Sequence, residues 1–526
     1  MPLTSDIASV EQAEAVRLFV ERAVLVLPTF GLTPHNQEAV VQVCRRLDGI
    51  PLAIELAAAR VKILSVAQIA ARLDDRFNLL MSGDRAALPR HQTLRAMVNW
   101  SYDLLSEQEQ ILFRRLSVFA GGFTLEAAEA VGGGIAAPSG SILETLSRLI
   151  DKSLVIAEEA PGVTMRYRLL ETLRQYALEK LAQTNEMLLA CECHADFFAR
   201  LTEEADPHLP TIIQQRRWLS RLESDQGNLR AALGWCIDSE RTEMALRLGG
   251  HLGWFWVQRS EFIEGRQWLE RACAMPDAGR YPRAYARALV FNGILAFLQT
   301  EAKEAKPWLE QALALARANA DRLTAADALN FLGLVALREQ DIEKARSCLE
   351  ESQALFQELG ELAGYARTVW HLGYVAERQG DVGTVLHFYK QALALFREWG
   401  DPLRQSAVLR SIGWNQYELG DRGRGRDSLR ESLTLAQSIG HKAGIAHTLR
   451  AIAERIEADP ERAVRLLMVV INLYHALGST TYENAVLEND LIQRRAQLDE
   501  MAFARACEAG RAMTMEQAIQ DALLVE

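Results

Sequence analysis

The sequence predicts a mainly α-helical protein whose C-terminal half is a solenoid of paired helices, and three observations carry that prediction. Glycine recurs at Gly253, Gly293, Gly333, Gly373 and Gly413, a spacing of 40 residues held over five copies. An acidic residue stands eight positions after each, at Glu261, Glu301, Asp341, Asp381 and Asp421. Of 526 residues only 14 are proline while 49% are hydrophobic, the low punctuation of a helical chain long enough for several domains.

Each copy reads as a helical hairpin. Gln379-Gly380-Asp381 and Leu419-Gly420-Asp421 set a glycine where a helix must close in a left-handed turn and an aspartate where the next helix needs an N-cap acceptor. Gly360, Gly400 and Gly440 mark a second stop. Twelve residues after each register glycine stand Gly265, Ala305, Ala345, Val385 and Gly425, and nineteen after it Ala272, Ala312, Ser352, Ala392 and Ser432, small residues that let paired helices approach. Sixteen after it come Leu269, Leu309, Leu349, Tyr389 and Leu429, expected to fill the gap between one hairpin and the next. This order of glycine, small, large and small resembles the tetratricopeptide repeat, with each hairpin lengthened beyond the usual period of about 34 residues. The armadillo and HEAT classes have a nearer period, about 40 to 47, but fit the internal spacing less well. The resemblance implies a right-handed α-solenoid over residues 244–500, closed by a C-terminal helix at 501–526.

Composition bounds the function. No apolar run approaches the roughly 20 residues that span a bilayer, and the N-terminus lacks the basic start and apolar core of a signal peptide, so a cytoplasmic protein with no membrane partner is expected. Seven cysteines scattered through helical segments argue against a disulfide framework. Cys191, Cys193 and His194 form a C-x-C-H run with no second ligand pair at metal spacing, and its cysteines read as helix-surface thiols. A net charge of -11 disfavours broad electrostatic binding to nucleic acid.

The first half lacks the period. Residues 1–88 read as packed helices, with a break at Gly49 and a restart at Pro51, a residue suited to a first helical turn because its missing N–H would be unpaired there. The stretch Leu47 to Arg60, with Asp48-Gly49-Ile50-Pro51-Leu52, resembles the Gly-x-Pro motif of the NB-ARC/STAND class of signal-transduction ATPases, in the branch of bacterial multidomain transcriptional regulators. In that class the proline belongs to a helical domain and packs on the adenine of bound nucleotide. The resemblance therefore gives Gly49, Pro51 and Leu52 an adenine-side role wherever a nucleotide-binding domain is present.

The match continues through residues 89–183. Leu88 to Leu105 and Leu112 to Phe123 resemble the opening of that class's winged-helix domain. A helix over Ile142 to Asp151 follows, then two strands, Ser153 to Glu159 and Thr164 to Leu170, joined across Ala160-Pro161-Gly162 as a wing, and a closing helix Glu171 to Lys180. Residues 184–243, with Trp218 to Trp235, resemble the helical linker that leads into the repeats.

Two departures limit the resemblance. The class's catalytic part is a P-loop domain whose Gly-Lys dipeptide holds phosphate, and this chain contains no Gly-Lys; Leu154 to Glu159 imitates a Walker B strand only superficially. Leu169-Leu170-Glu171 aligns with a Met-His-Asp motif whose histidine reaches the phosphate, a contact Leu170 cannot make. The chain thus looks like the part of such a regulator that follows the nucleotide-binding domain. ATP or ADP is implied by the resemblance alone, no cofactor is expected in this chain, and a nucleotide-binding domain encoded upstream is an expected partner. Residues 504–523 resemble the class's closing helix, after which many relatives carry a DNA-binding domain.

The expected function is a non-catalytic sensor and regulatory portion that binds a protein, peptide or small molecule in the repeat groove. The tetratricopeptide pattern places Arg247, Arg287 and Arg367 in one row of its inner wall, then Asn330, Trp370 and Arg410, then Trp254, Tyr374 and Trp414, with Arg338, Arg378 and Tyr417 near. Arginine forms paired hydrogen bonds to carboxylate or phosphate, and aromatic faces offer stacking area at low entropy cost. Asp327, Glu377 and Glu418 interrupt the wall. The alternative is nucleic-acid binding by the winged helix with the repeats as a dimerisation scaffold. Its helix 142–153 carries Glu144 and Asp151 against Arg148 and Lys152, little positive charge for phosphates. Arg422-Gly-Arg-Gly-Arg426 reads as a solvated turn. An enzyme in its own right lacks a nucleophile–base pair, metal cluster or phosphate loop above background.

Overall fold

The computed structural model describes residues 13–47, 49–80, 89–133, 139–159, 165–210, 212–299, 302–477 and 481–524. The N-terminal tail, Asp48, the wing tip Ala160-Pro161-Gly162 with Thr164, Leu88 and Glu301 lie outside them. The chain divides into two compact units, residues 1–200 with 222–236, and residues 201–221 with 237–526.

In the first unit, α1 (Glu14–Val26), α2 (Gln37–Arg46), α3 (Pro51–Ala58) and α4 (Val66–Leu80) pack α1 on α3 and α2 on α4. Phe19, Val40, Val43, Leu47 and Ile54 are fully buried there. Gly49 adopts φ 66°, its N–H donating to the Cys44 carbonyl (3.1 Å) to close α2, and Pro51 opens α3 at its first turn.

The winged domain follows: α5 (Pro89–Asp103), α6 (Glu107–Arg115), β1 (Gly122–Phe123), α7 (Leu125–Gly133), α8 (Ser139–Asp151), β2 (Ile156–Glu159), β3 (Met165–Arg168) and α9 (Glu171–Ala182). Ser106 and Glu109 form a reciprocal capping box that starts α6. The sheet has three strands, ordered β1-β3-β2 and antiparallel, with Ile156 opposite Arg168 and Phe123 opposite Tyr167. The two-strand wing read from the sequence therefore gains an edge strand; two residues are too short to show alternation. Asp225 and the first turn of the Gln226–Asp238 helix (Gln226-Gly227-Asn228) explain β1. Asn228 donates to the Gly122 carbonyl and accepts from the Ala120 N–H, both at 2.8 Å, while Arg166 pairs with Asp225 at 2.6 Å. A Cβ on Gly227 would lie 2.4 Å from the Ala120 carbonyl. His194 is buried against Phe119 and Phe198, and burial pushes its pKa down to about 4. Cys191 and Cys193 beside it are half-buried.

α10 (Met187–Ala205), α11 (Ile212–Ser224) and α12 (Gln226–Asp238) lead to the hairpins: α13 (Thr242–Arg259) with α14 (Phe262–Cys273), α15 (Pro282–Gln299) with α16 (Ala302–Ala318), α17 (Arg322–Arg338) with α18 (Ile342–Leu359), α19 (Leu362–Gln379) with α20 (Val382–Glu398), and α21 (Pro402–Glu418) with α22 (Arg422–Ser438). α23 (Lys442–Arg455), α24 (Pro460–Leu477), α25 (Thr481–Arg495), α26 (Glu500–Ala512) and α27 (Met515–Leu523) complete the unit. The N–H groups of Thr324, Lys344, Thr384, Arg404 and Arg424 donate to the aspartate three residues before each, at 2.8–3.2 Å. Gly380 and Gly420 turn at φ 76° and 79°, and earlier repeats hold Ser260 and Gln340 in the same left-handed region.

The large residue of each repeat corrects one expectation. A Cβ on Gly293, Gly333, Gly373 or Gly413 would come within 2.6, 2.6, 2.2 and 2.8 Å of Leu309, Leu349, Tyr389 and Leu429. The large side chain therefore seats on the glycine of its own hairpin rather than between hairpins. The first repeat differs: Leu269 meets Gly249, while Gly253 receives the Phe291 ring of the next hairpin.

Gly373→Val drives two methyls into the buried Tyr389 ring, and overpacking of this kind costs about 1–3 kcal/mol. Urea melts of Gly373→Val, Tyr389→Ala and the double variant should show the double costing less than the sum of the singles; strict additivity would remove the contact from the account.

Candidate ligand groove

The first helices of the hairpins bring the predicted wall together in two different states. Along α13, α15, α17 and the start of α19 the wall is closed. Arg367 pairs with Asp327 at 2.6 Å, each side chain 7% exposed, and its guanidinium lies 4.7 Å from the centre of the buried Trp254 ring, three repeats away. Arg287 pairs with Asp206, Arg247 with Glu203 at 2.7 Å, and Asn330 donates to Thr368 Oγ1 at 2.7 Å. The His371 Nδ1 lies 3.0 Å from Asn330 Oδ1. Arg247, Trp254, Arg287, Asn330 and Arg367 are thus engaged within the protein. Burial pushes Asp327 up and Arg367 down, and their mutual attraction opposes both shifts.

Toward the C-terminal ends of α15, α17 and α19, and on α21 and α23, the wall is open. A cavity of about 320 Å³ is lined by Phe297, Leu334, Leu337, Arg338, Tyr374, Glu377 and Arg378. A second, of about 250 Å³, is lined by Tyr374, Glu377, Arg410, Ser411, Trp414, His447, Arg450, Ala451 and Glu454. Tyr374 and Glu377 line both, so the two cavities adjoin along a groove over α15, α17, α19, α21 and α23. Glu377 is fixed by Tyr389 Oη (3.0 Å) and Asn415 Nδ2 (2.9 Å). Arg338 stacks on Phe297 at 3.8 Å, and Arg455 covers Trp414 at 3.8 Å. Arg378 and Arg410 make no ion pair among the described residues. Arg450 contacts both Glu454 (2.5 Å) and Asp490 (2.9 Å), and burial pushes Glu454 up to about 7.

Two further predicted wall residues, besides the five engaged in the closed part, lie outside this lining. Trp370 packs on Phe396 and Tyr374 in the core, and Tyr417 fills the space left by Gly425 within its hairpin. His447, Arg450 and Glu454 were missed, although they continue the 40-residue frame one copy beyond 407, Arg410 and Trp414; Ala453 replaces the register glycine and hides that copy.

Outside the repeats, Gly49 and Pro51 are exposed and Leu52 is half-buried. On α8, Arg148 pairs with Glu144 at 3.5 Å and Asp151 with Lys62 at 3.9 Å, and Lys152 is held by Glu109 at 2.6 Å. Arg422 pairs with Glu457 and Arg424 with Asp421. Among the described residues no group of three or more metal-ligating side chains converges and no helix is long and apolar enough to cross a membrane.

A winged helix-turn-helix family model matches residues 105–182, and a tetratricopeptide repeat model matches residues 284–358. The chain joins a winged helix to tetratricopeptide repeats. A Mycobacterium tuberculosis protein named as an HTH-type transcriptional regulator is 47% identical over 256 residues, 49% of this chain and 29% of that protein. An uncharacterized protein of the same species is 47% identical over 174 residues, 33% of this chain and 44% of its own length. The chain therefore spans less than half of these curated relatives. A solved signal-transduction ATPase with a tetratricopeptide repeat sensor, from Pyrococcus horikoshii, is 13% identical with a TM-score of 0.49, covering 97% of this chain and 72% of that one. A Rap protein complexed with competence and sporulation factor has a TM-score of 0.47 at 13% identity, covering 67% of this chain and 93% of its own.

Two outcomes follow for stability. Asp327→Ala leaves Arg367 buried without its partner and should cost about 3–5 kcal/mol in chemical denaturation. His371 is held neutral, its pKa pushed down to about 3 by burial and by Arg367 and Arg404. A depressed histidine is protonated more readily in the unfolded chain, so stability is lost as pH falls below the unfolded value near 6.5. Between pH 7 and pH 5 the loss is roughly 2 kcal/mol, and His371→Gln should flatten the pH profile by that amount.

Proposed function

We propose that this chain is the sensor and regulatory portion of a STAND-type transcriptional regulator, and that it binds a protein, peptide or small-molecule ligand in the open groove of its repeats. The observation that carries the reading is the pair of adjoining cavities that share Tyr374 and Glu377, with Arg378 and Arg410, unpaired among the described residues, beside aromatic Tyr374 and Trp414. An unpaired guanidinium next to ring faces offers orientation and contact area together. In this reading the winged helix relays the binding event, and the side chains that neutralise the cations of α8 leave it few charges for phosphate.

The same reading assigns the chain no catalysis. ATP chemistry belongs to a nucleotide-binding domain, and the features here that fit a nucleotide are the left-handed turn at Gly49 and the exposed Pro51, enough for one adenine contact and none to phosphate.

A thermal-shift screen of peptides and metabolites, followed by calorimetry, tests the groove. Trp414→Ala with Arg410→Ala should weaken a hit by about thirtyfold, the loss of more than ~2 kcal/mol typical of a desolvated anchor; equal binding by wild type and variant would place the site elsewhere. In the same instrument Mg-ATP and ADP should give no micromolar binding and no turnover. Binding or turnover abolished by Pro51→Ala would contradict the assignment.

A further inference from the structure

The closed half of the wall is closed by a particular piece of chain. After α10 the polypeptide makes a short turn, Asp206-Pro207-His208, and runs on through Leu209 and Pro210. Asp206 Oδ2 accepts from Arg287 of α15 and lies 2.9 Å from His251 Nδ1 of α13. Glu203, one turn earlier, holds Arg247. Arg404, at the start of α21, donates to the Pro210 carbonyl at 3.0 Å, a contact between residues 194 apart in sequence. Leu209 is fully buried, and its carbonyl accepts from Gln258 of α13 and from Gln215.

We propose that Glu203–Pro210 is an intramolecular ligand of the repeat wall, an acidic turn seated on the arginines of α13, α15 and α21 in the place an acidic peptide segment would take. Its chemistry is that of a guest. Two carboxylates meet two arginines of one row, and a backbone carbonyl meets a third, while the row's remaining member, Arg367, is neutralised from within the wall by Asp327. The seat leaves one acceptor of the turn unsatisfied: Asp206 Oδ1 is buried with no hydrogen-bond partner among the described residues. The site is separate from the open groove, and its test requires no ligand there.

Hydrogen exchange on the full chain tests it. Asp206→Asn and Arg404→Gln should each speed amide exchange across residues 203–210 at least about tenfold while α16 and α18 exchange as in wild type. The peptide Thr-Glu-Glu-Ala-Asp-Pro-His-Leu-Pro, the sequence of residues 202–210, should bind Asp206→Asn at least about tenfold more tightly than wild type, because there the seat is vacated more often. Unchanged exchange in the turn, or equal peptide affinity, would overturn the proposal. Should a variant lose the whole array, wild type decides: excess peptide must accelerate exchange of the chain's own turn, and no acceleration means the turn is fixed core.

Discussion

Each hairpin of the repeat array is held at a distance set by a glycine without a Cβ and a large side chain laid over it. Tyr389 on Gly373 and Leu349 on Gly333 are such pairs, and in both the large residue is fully buried. One missing methyl fixes how closely two helices pack, and the same spacing repeated every 40 residues fixes how each first helix is rotated relative to the next. Aspartate caps at both kinds of helix start then hold the helix ends in register. Because neighbours supply most contacts, small errors in this spacing would add along the array.

That cumulative rotation decides which polar side chains meet. Trp254 and Arg367 lie three repeats apart in sequence and in contact in space, so the wall of the first repeats closes on itself. Enclosing Arg367 and Asp327 is costly for either alone, and the 2.6 Å pair makes it tolerable. Toward the C-terminal ends of α15, α17 and α19, and on α21 and α23, the wall stays open: Arg378 and Arg410 line cavities there beside Tyr374, Glu377 and Trp414. A single period thus builds a sealed segment and an open one, and the acidic turn at Asp206 sits on the sealed segment.

The winged-helix unit shows the same dependence on distant residues. β1 is two residues long and has no signature of its own, yet Asn228 and Arg166 fasten it from either side. His194, next to two thiols in sequence, is instead enclosed by the Phe119 and Phe198 rings of distant and local chain.

The sequence by itself determined the hairpins, their caps and their close approach, because these rest on local geometry: left-handed turns, side-chain acceptors three residues from a donor, and steric room at fixed offsets. It also placed Tyr374, Arg410 and Trp414 on one wall, since a fixed period turns a row of positions into a row in space. It did not show the sixth copy, where Ala453 stands for glycine and His447, Arg450 and Glu454 continue the lining. Nor could it tell an arginine bound for a ligand from one bound for the protein's own carboxylates. Only the tertiary structure decided that, because Arg287 finds Asp206 and Arg404 finds Pro210 across 81 and 194 residues, and such pairings depend on the summed rotation of every helix between them.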